Sequence, residues 1–434
     1  MASKFLFVSY EGLIADIAWQ VIKEGHEAKF WVQDPAVQEV ADGFVPKAKD
    51  WRKEVDWADV VVFDDVLGGM GTMAEELRNA GKPVVGGSPY TDRLEEDRAF
   101  GQQELKAAGV AIIPQENFSS FDAAVEYVRA NPHRYVIKPS GEAQNEKRLL
   151  FVGEEEDGRD VVGVLHDYKQ HLSHKVKEFQ LQRRIVGVEV AVCAFFNGKE
   201  FVTPVCVNFE HKKLFPGDIG PATGEMGTTM FWSEPNRLFN ATLKKMEAKL
   251  AQARFTGSID INCIVNSNRI YPLEFTPRFG YPAISIQQEG LLTPIGELLR
   301  GVAEGTLSKL RARSGFQVGV RVVVPPFPYS DKRTFESTSK DSVILFKTPS
   351  RDGVHIEEVK QVEGAQGPEW RVAGASGVVL VVCGSGPTMK QAQRQAYNRV
   401  RNVMIPYMYY RDDIGERWSE DSDRLHAWGY LREA

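Results

Sequence analysis

The sequence predicts an α/β protein built in several units, and three observations predict it. Residues 5–86 alternate apolar runs with helix-spaced runs, the rhythm of a parallel sheet flanked by helices. Residues 257–275 read as two strands around a polar turn. Beyond residue 314, several strands precede one helix, which is an α+β pattern. A chain of 434 residues can build roughly two to four cores.

The elements follow in order. Residues 5–9 form an apolar strand, and residues 13–24 have helical spacing that stops at Gly25. Strands follow at 28–32 and 59–63, then a helix at 73–79 closed by Gly81 and a strand at 83–86. The loop Val8-Ser-Tyr-Glu-Gly12 lies where such sheets bind ligands. It lacks Gly-x-Gly-x-x-Gly, which argues against a dinucleotide. A charged helix runs from Thr91 toward Pro114. Residues 135–138 form a strand ending in Lys138, with further strands at 180–184, 188–196 and 201–208. Residues 215–227 have the glycine and proline density of an irregular functional loop. One long helix is expected over 236–253, before the hairpin that turns at Asn266-Ser-Asn268. From Ser314-Gly315 onward, strands are expected at 317–324, 342–347 and 377–383, and a helix over 388–404. Thr388 and Gln391 suit a capping box. Ala392, Ala396, Val400 and Val403 make the helix's apolar stripe.

Composition narrows the function classes. Hydrophobic content of 43% and charged content of 26% are those of a globular chain. A net charge of −6 gives no reason to expect a nucleic-acid or acidic-membrane partner. The basic clusters His211-Lys-Lys213 and Lys147-Arg148 are short, suiting local anion contacts or solvated faces. Cys193, Cys206, Cys263 and Cys383 sit far apart in apolar runs. Free thiols in a reducing cytoplasm are therefore expected. No apolar run reaches spanning length, and no signal peptide is evident.

The residues with chemical potential are scattered. Lys138 can balance phosphate charge, and the loop after it offers Ser140, Gln144 and Asn145. A surface lysine before a turn is the plain alternative. Arg98 on a helix and Glu189 on a strand read equally well as solvated positions. His211, Lys212 and Lys213 suit either an anionic substrate or an exposed turn. His166, His171 and His174 show no metal-ligand spacing. Around the hairpin, Asp260, Asn262, Glu274 and Thr276 offer oxygen ligands with Arg278 just beyond. That set suits magnesium and phosphate, or a solvated hairpin face.

Taken in order, these segments resemble the ATP-grasp ligases. Glu274-Phe-Thr-Pro-Arg278 is similar to their Glu-x-Asn-Pro-Arg, with Thr276 where Asn is usual. The chain is most similar to the phosphoribosylamine–glycine ligase family. Leu94-Glu-Glu-Asp-Arg98 resembles its Leu-Glu-x-x-Lys, and Val136-Ile-Lys138 its Val-Ile-Lys. His211-Lys-Lys213 and Gly220-Pro-Ala-Thr-Gly-Glu-Met-Gly227 resemble its His-Lys-Arg and Gly-Pro-Asn-Thr-Gly-Gly-Met-Gly. Arg411-Asp-Asp-Ile-Gly415 resembles its ending. The resemblance runs to about residue 417.

The resemblance implies an ATP-grasp fold. An N-terminal parallel α/β unit would span 1–92 and the ATP-grasp unit 93–313, with a lid over about 117–181. A small α+β unit would span 314–434, including an extra tail from Trp418. It implies ATP and magnesium, with manganese as a substitute. Arg98 and Lys138 would contact phosphates, and Glu189 the ribose. The backbone of Gln182, Arg184 and Ile185 would hold adenine, with Gln182 where the family has glutamate. Asn262 and Glu274 would bind the metal, with Asp260 as the fallback. Arg278 and Lys138 would be catalytic, and His211, Lys213, Thr223 and Gly224 would face the substrate. The partners implied are a carboxylate and an amine in a cytoplasmic monomer or homodimer.

The family's first loop, Gly-x-Gly-Gly-Arg-Glu-His, serves the phosphorylated amine. Here Ser9-Tyr-Glu-Gly12 replaces it without arginine or histidine. The phosphate-covering loop is glycine-poor, Ser140-Gly-Glu-Ala-Gln-Asn145, and Glu225 replaces a glycine. The reading is thus a carboxylate–amine ligase acting through an acyl phosphate on an altered substrate. Its alternatives are a true phosphoribosylamine–glycine ligase and a non-catalytic nucleotide-binding descendant.

Overall fold

A computed structural model describes residues 2–141, 143, 149–365 and 367–431. The expectations placed on Gln144, Asn145, Lys147 and Arg148 lie outside these residues.

The N-terminal sheet comprises β1 (Lys4–Ser9), β2 (Glu27–Val32), β3 (Val60–Phe63) and β4 (Val84–Val85). Its order is β2-β1-β3-β4, all parallel. The run Val-Val-Val-Phe of β3 is buried throughout because helices cover both faces. Helices α1 (Ala15–Lys23) and α2 (Met70–Asn79) pack on it. The alternation expected from the sequence is present.

The charged helix expected from Thr91 is two helices, α3 (Pro89–Glu96) and α4 (Arg98–Ala107). Asp97 divides them because its carboxylate accepts the Phe100 N–H at 3.0 Å, an N-cap inside the apparent run. Ser88 and Thr91 form a capping box on α3, with Pro89 in its first turn.

A four-stranded unit follows. It contains β5 (Gln115–Phe118), β6 (Tyr135–Pro139), β7 (Phe151–Val152) and β8 (Phe179–Arg183), in the order β5-β8-β6-β7. Helices α5 (Phe121–Ala130) and α6 (Arg159–Asp167) close its own core around Phe121, Tyr135, Phe179 and Leu181.

The remaining strands build an eight-stranded sheet, a two-stranded hairpin and a further four-stranded sheet. They are β9 (Val188–Asn197), β10 (Val205–Glu210), the small hairpin β11 (Lys213–Phe215) and β12 (Ile219–Ala222), β13 (Gly227–Ser233), β14 (Thr256–Val265) and β15 (Ile270–Thr276). Beyond them lie β16 (Phe316–Val323), β17 (Val343–Phe346), β18 (Val354–Ile356), β19 (Val359–Gly364), β20 (Gly367–Val372) and β21 (Val378–Gly386). The large sheet runs β15-β14-β9-β10-β13-β16-β21-β18. It therefore continues from the hairpin of the middle unit into the C-terminal strands.

The long helix expected over 236–253 is broken into Arg237–Ala241, a tight turn Leu243–Met246 and Glu247–Gln252. Thr242 breaks it: its buried hydroxyl donates to the Leu238 carbonyl at 2.5 Å, and its backbone leaves the helical region. The helix expected over 388–404 spans Met389–Val400 and gives way to the short strand Val403–Met404. Thr388 caps it by accepting the Gln391 N–H, while the Gln391 side chain meets the Thr388 hydroxyl instead of its backbone.

Three units meet at one buried charge cluster. Asp16 of α1 accepts from the His355 Nδ1–H at 2.7 Å and the Ile356 N–H at 3.0 Å. The other His355 nitrogen faces Glu289 at 3.4 Å, and Glu289 pairs with Arg399. All four cysteines are free and buried. Among the described residues, no helix is long and apolar enough to cross a membrane.

Candidate active site

Two strands and one hairpin converge on a charged floor. The hairpin register sets Asn262 opposite Glu274 and Asp260 opposite Thr276. Side chains of one face alternate along a strand, so these four share a face. From β10, two strands along the sheet from β14, Glu210 reaches Asn262, whose Nδ2 donates to Glu210 Oε2 at 3.0 Å. Lys212 bridges Glu189 at 2.8 Å and Glu210 at 3.1 Å. Asn208 donates to Asp260 at 3.4 Å. Burial opposes the charge on Lys212, but Glu210, Glu189 and Glu274 together hold it well above its usual range. Burial and Glu210 push Asp260 well up.

Lys138 closes the floor from the four-stranded unit. It is 8% exposed. Burial first, then Arg98 and Lys212, bring it down to about 8, against the pull of Glu274 and Glu189. Arg98 opens α4 and donates to the Pro139 carbonyl at 3.2 Å. Crowded cations of this kind suit an anionic ligand such as a phosphate. Gln180 lies opposite Lys138 in the register, and its Oε1 is buried without a partner.

The expected adenine edge runs along β8. The Gln182 side chain donates to Gln115 at 3.2 Å. The Arg184 N–H donates to the Arg134 carbonyl at 2.9 Å, and its guanidinium pairs with Glu154 at 2.5 Å. Ile185 is half-buried.

The floor fits magnesium and ATP on its own donors. The Oδ1 of Asn262 is buried without a hydrogen-bond partner, directly opposite Glu274. Among the described residues, no three His, Cys, Asp or Glu side chains form a metal cage. A site with few protein ligands suits magnesium completed by phosphate oxygens.

Arg278 faces a second, acidic end. Its guanidinium donates to Glu95 at 2.8 and 3.2 Å and stands 3.9 Å from Asp65. Burial raises Glu95, which also feels Asp65 and Glu274, so the acidic end adjoins the metal floor. Asp65 follows Asp64 at the end of β3. Asp64 accepts from the Tyr10 N–H at 3.2 Å and from the Ser9 hydroxyl. The Gly12 N–H is taken by Ser9 Oγ at 2.7 Å. Burial and Asp65 bring Asp64 up to about 7, and burial with Asp65 and Asp34 also raises Glu11.

The substrate loop borders the same floor. His211 is buried with neither ring nitrogen bonded, and burial with Arg417 and Arg411 lowers it to about 4. It is thus a neutral imidazole at physiological pH. Thr223 donates its hydroxyl to the Lys212 carbonyl at 2.8 Å. Lys213 points outward, donating to the Gly220 carbonyl at 3.2 Å. Gly224 approaches Arg321, and Arg321 pairs with Glu357 in the interior.

The structure thus gathers Lys138, Arg98, Glu189, Asn262 and Glu274 at one place and Arg278 beside it. His211 and Thr223 turn toward the loop's own interior. The sequence reading missed Glu210, Asn208, Gln180, Glu95 and Asp65. For Asn208 and Glu210 a signal existed: two polar residues at period two in the apolar run Val205–Glu210.

Comparison with known proteins bears on the fold and the kind of protein. Residues 96–284 match the family described as phosphoribosylglycinamide synthetase, ATP-grasp (A) domain. The phosphoribosylamine–glycine ligase of Streptomyces coelicolor is 27% identical over 363 residues, covering 80% of each chain. That of Halalkalibacterium halodurans is 24% identical over 359 residues, covering 80% of this chain and 79% of its own. Among solved structures, Thermotoga maritima phosphoribosylamine–glycine ligase superposes with a TM-score of 0.69 at 21% identity, over 95% of this chain and all of that one. The biotin carboxylase domain of Hydrogenobacter thermophilus 2-oxoglutarate carboxylase, solved with MgADP and bicarbonate, gives 0.62 at 12% identity over the whole of both chains. The fold is the ATP-grasp fold.

Proposed function

We propose that this chain, an ATP-grasp ligase similar to phosphoribosylamine–glycine ligase, joins a carboxylate to an amine that carries no phosphate. ATP supplies a transferable phosphoryl group, and magnesium supplies charge neutralisation. Asn262 and Glu274 would hold the metal. Lys138 and Arg98 would hold the phosphates, Glu189 the ribose, and the backbone of Gln182, Arg184 and Ile185 the adenine. A substrate carboxylate oxygen attacks the terminal phosphorus and ADP departs, leaving an acyl phosphate. The amine nitrogen then attacks the acyl carbon, the C–O bond to phosphate breaks, and the nitrogen loses a proton. Such a sequence needs placement and charge balance rather than a protein nucleophile.

One observation carries the altered amine. The Tyr10 and Gly12 N–H groups of the first loop, part of the natural cradle for a phosphate at this sheet edge, already serve Asp64 and Ser9. Glu11, Asp34, Asp65 and Glu95 add further negative charge around Arg278. A phosphorylated amine would meet repulsion here, whereas a neutral or cationic one would not.

The second reading, phosphoribosylamine–glycine ligase itself, draws support from relatives matched along 80% of the chain. One assay separates the two. ADP release is measured with ATP and magnesium across a panel of carboxylates and amines, with glycine plus phosphoribosylamine as one arm. Release with an unphosphorylated amine is expected. Release confined to the phosphoribosylamine arm would overturn the altered substrate. Buried free thiols favour a reducing compartment for this chemistry.

A further inference from the structure

The segment from Trp418 lies beyond the resemblance, yet it and the residue before it are built into the site. Helix Trp418–Ala427 carries Trp418 against three rings at once: Phe209 at 5.2 Å, Phe231 at 5.8 Å and Phe316 at 5.1 Å, all edge-on. Edge-to-face packing of this kind fixes orientation as well as burying area. Leu425, Tyr430 and Leu431 enter the same core. Arg237 stacks on Tyr430 at 4.3 Å and donates to the Trp428 carbonyl, which secures the far end.

Just before the helix, Arg417 spreads its guanidinium over three acceptors. Its Nε donates to Asp421 at 2.8 Å, one turn into the helix. A second nitrogen donates to Asp218 at 2.9 Å, and the third to the Glu210 carbonyl at 3.3 Å. Asp218 sits at the tip of the β11–β12 hairpin, where Arg411 holds its other oxygen at 2.8 Å. Asp413 takes the Gly217 N–H at 2.9 Å. The hairpin itself is thin and exposed: Phe215 is 47% and Ile219 63% exposed. Leu214 packs its base against Met226, Val323 and Val378, and its tip is held by these polar ties. Glu210 lies on the site floor, bonded to Asn262 and Lys212.

We infer that the C-terminal tail is a latch for the substrate loop, with Arg417 as a positioning residue that holds the β11–β12 hairpin and the Glu210 backbone in place for the non-nucleotide substrate. Trp418 seats the latch and Asp421 aims the guanidinium. Arg417 touches no reacting group. The inference rests on the reading of residues 211–227 as the substrate loop.

The test uses the full chain with Arg417→Gln, Asp218→Asn and the double variant. Amide hydrogen exchange over residues 211–222 needs no substrate and reads the latch directly. Steady-state kinetics with the acid–amine pair found in the ADP-release panel read its consequence. Loss of one partly buried, charge-assisted contact is expected to raise exchange of the hairpin and the KM for the acid or amine by about tenfold. The KM for ATP should stay within about twofold, and the double variant should add little to either single one. Unchanged exchange in the singly substituted proteins would overturn the latch. Faster exchange with every KM unchanged would overturn the assignment of this loop to the substrate, and with it the positioning role. A truncation at Glu416 removes core residues and serves only as a stability control.

Discussion

At the residue scale, Lys138 should give the site its pH dependence. Below about 8 it is charged and completes the cationic cradle with Arg98; above about 8 it is neutral. Affinity of the free enzyme for ATP–magnesium is therefore expected to fall as pH rises through 8, by up to about tenfold per pH unit. Calorimetric titration between neutral and mildly alkaline pH checks it. Lys138→Arg should bind more weakly at neutral pH but lose the fall, because a guanidinium stays charged. A fall of equal steepness in that variant would assign the titration elsewhere. Glu274→Ala is expected to abolish turnover while unfolding at the same denaturant concentration, and retained turnover would remove the metal role proposed for it. Lys138 and Glu274 stand out in the sequence because each ends or interrupts an apolar strand within a segment that resembles a family motif. Glu95 and Asp65 were not. Their meaning comes from Arg278, which lies 183 residues from Glu95 in the chain.

At the element scale, alternation and punctuation carried the first sheet and the hairpin, because their neighbours are close in sequence or patterned by burial. The break at Thr242 was hidden, since a buried threonine looks like any helix residue until its hydroxyl bonds the preceding turn. The four-stranded unit was only partly readable: β5 is mostly polar and β7 is only two residues long, so their pairing decides them. That unit has its own apolar core and touches the floor through Lys138. It is proposed to act as a lid. ATP–magnesium should slow proteolytic cleavage within residues 117–181 several-fold, about 1 kcal/mol of added protection for a ligand at about four to five times its Kd. Equal cleavage with and without the nucleotide would count against closure. At the start of α3, Ser88→Ala should lower stability by about 1 kcal/mol through loss of the capping box, read by urea denaturation.

For the whole molecule, the buried cluster Asp16, His355, Glu289 and Arg399 ties the N-terminal helix, the middle unit and the C-terminal strands together. The sequence reading named none of the four, since they come from segments far apart in the chain. Burial opposes the charge on His355, but Asp16 outweighs it and raises His355 well above its usual range. Burial likewise opposes the charge on Asp16 and Glu289, yet His355, aided by Arg399 at Glu289, holds both carboxyls down. A raised histidine stabilises fully below its unfolded pKa and loses that contribution as pH rises through the folded one. The lowered carboxyls stabilise above their unfolded pKa and lose it as pH falls. The cluster should therefore contribute most in mildly acid solution. Asp64, Asp92 and Glu358 are each raised to about 7, chiefly by burial. Their ionisation also works against the fold as pH rises, so the two effects add. Unfolding free energy is expected to decline from about pH 5.5 to pH 8.5 in the absence of ligands. His355→Gln should lower it by about 3–5 kcal/mol at the acid end, because two buried carboxylates lose their partner. The difference between wild type and variant should shrink as pH rises above the unfolded histidine's range, because only the folded state then keeps the proton. A difference that stays constant over that range would show that His355 acts through packing, and that its charge does not hold the three units together.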